Sequence, residues 1–227
     1  MDRENIEHKA RELQAQIWRE KEKLFPMGVP RPRGMLEPKI AAQVLGFSYE
    51  HYEGLGTWGQ GGDRFEIAGL LDRQQWLIAV STKFKYPTMR FTGAHEVGHV
   101  VLDHPKRVVH RDRPVFQMQA GPRDPFEQEA DYFAACFLAP AKLVIEGMKM
   151  RFLSEPPLPL TDDVAFHLCG SSGHALMGAG PGSYEFAAAV ANARSFNTHP
   201  FFSLAEEFGI SVSAMAIRLR ELKLIED

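Results

Sequence analysis

Disulfide chemistry is the first thing the sequence leaves out. Among 227 residues there are two cysteines, Cys136 and Cys169, too few and too far apart in sequence to build a disulfide framework. No apolar run is long enough to span a bilayer. The opening MDRENIEHKARELQ is too polar for a signal peptide, so a cytoplasmic protein with no membrane partner is expected. Charge of one sign is also scarce. A formal net charge of −3 gives no footprint for non-specific nucleic-acid binding, although local patches escape such a sum. What remains is the composition of a soluble globular chain, 44% hydrophobic and 24% charged. Its length suits one domain with insertions, or one and a half.

The chemistry gathers in Arg90 to Pro105, RFTGAHEVGHVVLDHP. Residues four apart on an α-helix share a face, so His95 and His99 can present both imidazoles to one metal ion. Glu96, one step round, can then serve as general base for a bound water. Val97, Val100, Val101 and Leu102, with Phe91 and Ala94 a turn earlier, favour a buried helix, and Gly98 allows close packing. The alternative is a chance H-E-x-x-H on a core helix, its histidines bonded to neighbours. A third ligand separates the two.

Asp124-Pro125 is a strong helix start, with Asp as N-cap and Pro at the first helical position. The following FEQEADYFAACFLAP is apolar at Phe126, Ala130, Phe133, Ala134 and Phe137, and Pro140 closes it. Glu127 is the foremost third ligand and Glu129 the second. Glu127 and Asp131 stand four apart on one face with small Ala130 between them. One carboxylate can bind metal while the other accepts from the distal nitrogen of a ligating histidine. A capping box from Asp124 accounts for Glu127 but leaves Asp131, on an apolar helix, unexplained. The expected centre is His95, His99 and Glu127 around Zn2+, with Mn2+ or another divalent metal as alternatives, Asp131 behind a histidine, and one position open for water.

RFTGAHEVGHVVLDH followed by EQEADYFAACFLAP resembles the ImmA/IrrE metallo-endopeptidases, and LAEEFGISVSAMAIRLRELKLI looks like the helical segment that commonly follows in that family. The resemblance covers roughly Phe65 to Pro140 and Leu204 to Ile225. It implies an α+β, zincin-like core with a small mixed or antiparallel sheet, an H-E-x-x-H active-site helix and a helix-turn-helix-like tail. It further implies cleavage of a helix-turn-helix repressor, often encoded beside the peptidase. Some members are linked to DNA damage or, like the CapP-type peptidases, to phage-defence operons. The activator is left open between single-stranded DNA and a small molecule. The chain departs from the pattern at Ala139, where Met is common, and in the long segment Ala141 to Ser203.

Three parts are therefore expected: a helix plus core over 1–140, an insertion over 141–203, and a helical tail over 204–227. In the first, Asp2 to Leu24 reads as an amphipathic helix through Ile6, Ala10, Leu13 and Ile17. A proline-rich stretch to Pro38 covers the domain, and Lys39 to Leu45 makes a short helix before Gly46. Gly54 to Gly62 reads as a surface loop because it lacks the Lys-Ser/Thr ending of a phosphate loop. Phe65 to Leu71 and Trp76 to Ser81 form a hairpin, one strand of which is expected at a sheet edge where it can take an extended peptide. Lys106 to Gln119 reads as a loop or hairpin.

In the insertion, HLCGSSGHALMGAGPGSY places Cys169 at the edge of a glycine-rich loop between His167 and His174. A thiolate is a strong zinc ligand, so Cys169 is a candidate inhibitory ligand that holds the enzyme latent, against the plainer reading of a packed free thiol. Cys136 belongs to the core. Tyr132 and His174 are the candidates to assist the metal at the oxyanion. In the tail, Ser211 caps a helix whose buried stripe is Val212, Met215, Ala216 and Leu219, with Arg218 and Arg220 near its end. A competing function follows from that tail: a non-catalytic regulator that binds DNA and uses the metal for structure. The apolar first turn of the helix argues against base reading.

Overall fold

In a computed structural model of the chain, Asp2 caps the first helix, α1 (Arg3–Arg19), by accepting from the Asn5 N–H at 3.1 Å. The structure describes residues 1–58, 65–105, 109–112 and 124–227. They divide into two units, Met1–Leu138 and Ala139–Asp227. The fold is mixed α+β.

In the first unit α1 buries Ile6, Ala10, Leu13 and Ile17, the stripe expected from its period. Each of the three larger side chains contributes about 1.5–3 kcal/mol. A short helix, α2 (Lys21–Leu24), and a 3-10 turn (Pro32–Met35) lead to α3 (Pro38–Val44), with Pro38 inside its first turn. Strands β1 (Ser48–Tyr52), β2 (Thr57–Trp58), β3 (Phe65–Glu66), β4 (Gly69–Asp72) and β5 (Leu77–Ser81) follow. The apolar run from Phe65 to Leu71 is thus split: β3 pairs with β2, and only β4 joins the main sheet. Residues 59–62 of the glycine-rich stretch lie outside the described residues.

β4 and β5 form the expected antiparallel hairpin, turned by Asp72, whose Oδ1 accepts from the N–H groups of Gln74 and Gln75. Neither strand is an edge, which corrects the sequence expectation. The order is β1-β5-β4-β6, with β6 (Val109–Asp112) antiparallel to β4 and β1 parallel to β5. Ile78 to Ser81 are accordingly buried in succession, as suits an internal strand covered on both faces. The remainder of Lys106 to Gln119 falls outside the described residues.

Helix α4 (Tyr86–Val101) carries the histidines and has Pro87 in its first turn; α5 (Pro125–Leu138) carries Glu127. Asp124 Oδ1 accepts from the Phe126 N–H at 2.8 Å. Every residue of α4 from Thr92 to His99 is buried, because the sheet, α3 and α5 all pack on it.

The second unit contains α6 (Ala141–Phe152), α7 (Asp162–Cys169), α8 (Gly173–Ala179), α9 (Tyr184–Asn192), the strand pair β7 (Ser195–Phe196) and β8 (His199–Pro200), α10 (Leu204–Phe208) and α11 (Val212–Glu221). The glycine-rich stretch expected as a loop is largely helical. Gly173 is there for close packing: a Cβ on it would stand 3.1 Å from the backbone of Ala165, on the neighbouring α7. α11 packs on α9, so the expected insertion and tail share one core. Met215, Ala216 and Leu219 are buried as expected, and Arg218 is buried with them. Its Nε donates to the Ala139 carbonyl at 3.1 Å, and its Nη1 lies 3.4 Å from Glu221. That removes Arg218 from any surface that could read DNA.

Candidate metal centre

Three cationic side chains set α4 in place. Arg90, buried, donates to Glu37 at 3.1 Å and to the Leu36 carbonyl at 2.7 Å. At the other end Lys9 reaches the Val101 carbonyl at 3.2 Å, and Arg73 reaches the carbonyls of His99 and His104 at 2.8 and 3.3 Å. Cations at a helix C-terminus satisfy its last carbonyls and oppose its dipole.

α5 crosses α4 where both backbones are thinnest. A Cβ on Gly98 would stand 3.2 Å from Ala130 Cα and 3.1 Å from the Phe133 ring. Only small residues at this crossing allow Glu127, a turn before Ala130, and Asp131, next to it, to meet the imidazoles. Phe133 and Phe137, stacked and fully buried, anchor the rest of α5. Gln14 of α1 caps its C-terminal carbonyls at Cys136 and Phe137. Cys136 is core, as expected.

At that crossing the ligand atoms of His95, His99 and Glu127 all lie within 4.8 Å of one another. The two Nε2 atoms are 2.9 Å apart. Glu127 turns one oxygen to each, Oε2 at 3.3 Å from His95 and Oε1 at 3.8 Å from His99. Asp131 Oδ1 is 2.8 Å from His95 Nδ1. An ionised carboxylate only accepts, so it holds the proton of His95 on Nδ1 and leaves an Nε2 lone pair aimed at the cluster. Two imidazole nitrogens and a carboxylate are the donor set of a catalytic zinc site. The residues fit a divalent cation of that kind.

Glu96, next to His95 on α4, is completely buried, with its side chain against β4 at Gly69. Tyr49 of β1 presses its hydroxyl on the same helix at Gly93. Burial, followed by the negative charges of Glu37 and Glu96, pushes the Tyr49 phenol far above its ordinary pKa, so Tyr49 stands near the candidate base as a neutral donor.

Two residues at this site were not anticipated in their roles. His104 places its Nδ1 2.8 Å from His99 Nδ1, and its Nε2 3.3 Å from Glu129 Oε2. Glu129, the second choice as ligand, lies behind His104 instead. Burial lowers the His104 pKa, against the opposing pull of Glu129. The local backbone explains the contact. Leu102 ends α4, Asp103 takes a left-handed φ of 51°, and the chain doubles back so that the His104 N–H bonds the His99 carbonyl and the Asp103 N–H bonds that of Val100. This is the Schellman ending, in which the second residue past the cap touches the one three before the helix end. The signal in the sequence was LDHP after the helix: a turn-tolerant Asp, then His, then Pro.

The Tyr132 hydroxyl is bonded to Glu7 of α1 at 2.5 Å. His174 is exposed on α8. Cys169 ends α7 in the second unit as a half-buried free thiol, and the ligand group found among the described residues contains no cysteine.

Residues 51–149 match the family model of the M78 peptidases, described as the IrrE N-terminal-like domain. The matched stretch runs from β1 into α6 and includes His95, Glu96, His99, Glu127 and Asp131. Among curated proteins none matches the chain.

Proposed function

We propose that this chain, a metallopeptidase of the ImmA/IrrE kind by its IrrE N-terminal-like domain, is a zinc-dependent endopeptidase that cuts a helix-turn-helix repressor. The convergence of His95, His99 and Glu127 on one point, with buried Glu96 beside it, carries the reading. His95, His99 and Glu127 would hold the ion. Zinc bound there would supply Lewis acidity, polarising a carbonyl and bringing the pKa of a water toward ~7. Glu96 takes a proton from that water on its carboxylate and returns it to the leaving amine. Asp131 keeps His95 in the ligating tautomer through its Nδ1–H.

The repressor as substrate and the setting of stress, whether DNA damage or phage infection, rest on the family resemblance. Single-stranded DNA or a small molecule serves as activator in this reading. No helix among the described residues is long and apolar enough to cross a membrane.

The test is incubation of the zinc-loaded protein with the helix-turn-helix regulator encoded beside it, with candidate activators, reading fragments by mass spectrometry. Cleavage is expected from the wild type, lost with chelator, and lost in Glu96→Gln at unchanged zinc content. Fragments produced by Glu96→Gln at the wild-type rate would overturn the assignment of the base.

A further inference from the structure

We infer that His104, backed by Glu129, is a positioning residue that fixes the tautomer and ring plane of the metal ligand His99; the inference rests on the metal-centre reading above. Asp131 does this for His95 directly. The Nδ1 of His99 faces the Nδ1 of His104 at 2.8 Å.

Two imidazole nitrogens at that distance share a single proton, so one donates and the other accepts. If His104 donated, the proton of neutral His99 would sit on Nε2, the atom turned toward His95 and Glu127. That ring could not bind a cation. Ligation therefore requires His99 to donate from Nδ1 and His104 to accept. The remaining proton of His104 then lies on Nε2, facing Glu129 Oε2 at 3.3 Å. A carboxylate accepts and does not donate, so Glu129 selects the one His104 tautomer that leaves Nδ1 free to accept. The preference of a carboxylate on α5 reaches His99 through one buried ring.

The environment keeps this arrangement in place. His104 is buried, its ring packs on Phe126 with centroids 5.0 Å apart, and its backbone is tied to His99 by the helix ending. The two ligating histidines thus carry unlike supports, an anion on His95 and a neutral ring relayed to an anion on His99. Outer partners of this type raise the basicity of a ligand and typically set metal affinity by about 10–100-fold.

The test measures zinc affinity of the full chain by chelator competition, with the melting temperature of the metal-free protein as a check on folding. His104→Leu keeps bulk but removes the acceptor, and a loss of about 10–100-fold is expected. His104→Asn returns an acceptor oxygen near the Nδ1 position and recovers most of that loss. Nitrogen-15 imidazole spectra of the zinc-loaded wild type give a readout independent of any variant: the proton on Nδ1 of His99 and on Nε2 of His104. A proton on His104 Nδ1, or wild-type zinc affinity in a folded His104→Leu protein, overturns the inference. His95→Ala and Glu127→Ala separate the two levels. If the wild type takes up no zinc, or these variants bind it unchanged, the metal-centre reading falls and this inference with it. If they lose zinc while His104→Leu does not, only the role of His104 falls.

Discussion

Gly69 and Glu96 share one space: a methyl group on Gly69 would stand 2.6 Å from Glu96 Oε1, and 2.5 Å from Thr92 Cγ2. The strand under the motif helix therefore has no side chain where the candidate base lies. Because the carboxylate is the mobile end of its side chain, it is the group that moves when a methyl is added. Gly69→Ala is expected to keep zinc stoichiometry and lower kcat on the cleaved substrate at least about tenfold, the order of an acid–base contribution partly lost. Unchanged kcat in a folded, metal-loaded Gly69→Ala protein would show that Glu96 acts from another position.

Gly98 poses the same question for the ligands. Replacing it by Val gains a few tenths of a kcal/mol in helix propensity. It also drives branched carbons into the Ala130 backbone and the Phe133 ring, already 3.1–3.2 Å from a simple Cβ, and overpacking of this type costs about 1–3 kcal/mol. The steric loss is the larger. Gly98→Val should lower the denaturation midpoint of the metal-free protein and weaken zinc binding together, since α5 carries both Glu127 and Asp131. A lower midpoint with unchanged zinc affinity would show that the crossing is structural only.

Asp103 holds a conformation that L-residues with a side chain adopt at a cost. Asp103→Gly should stabilise the metal-free protein by up to about 1 kcal/mol while leaving His104 over His99. Asp103→Val should destabilise it and lower zinc affinity, because a β-branched residue resists the turn that returns His104. Circular dichroism melts and chelator competition on the pair decide whether the turn serves the centre.

In the second unit a capping box at the start of α10 sets an acid dependence. Ser203 Oγ accepts from the Glu206 N–H at 3.2 Å and Glu206 Oε2 accepts from the Ser203 N–H at 3.0 Å. The bond from the Ser203 backbone, foremost, then those from the Ser203 hydroxyl and Arg194, lowers the Glu206 pKa. A folded-state pKa below the unfolded one gives stability that is present above the unfolded value and lost as pH falls through the folded value. The stability advantage over Glu206→Gln should therefore be full at pH 7 and shrink in acid. A difference that stays constant through the titration of Glu206 would assign the effect to packing rather than charge.

Periodicity revealed what depends on one element at a time. The α1 stripe and the facing of His95 with His99 follow from helical spacing, the caps at Asp124 and Ser211 from their residue types, and the structure has them. What depends on a third element was harder. The β4–β5 hairpin was legible, but its interior place in the sheet comes from β1 and β6, which local pattern does not connect to it. Arg218 reads as a surface cation because charge is normally outside. It is buried because the Ala139 carbonyl, beyond the end of α5, needs a donor there. The glycines of residues 170–182 read as loop because close helix packing and flexibility use the same residue. His104 was overlooked because it stands five residues from His99, off the helical face, until the turn at Asp103 brings it back.

Arg73 belongs to the turn between β4 and β5, yet its guanidinium grips the carbonyls of both His99 and His104. The hairpin therefore supplies the donor that two carbonyls at the far end of α4 use. A peptide cut from the motif helix and α5 alone would carry all three cation-binding residues and still lack the clasp that shapes their surroundings. Occupancy of the centre therefore reports on the hairpin as well as on the two helices.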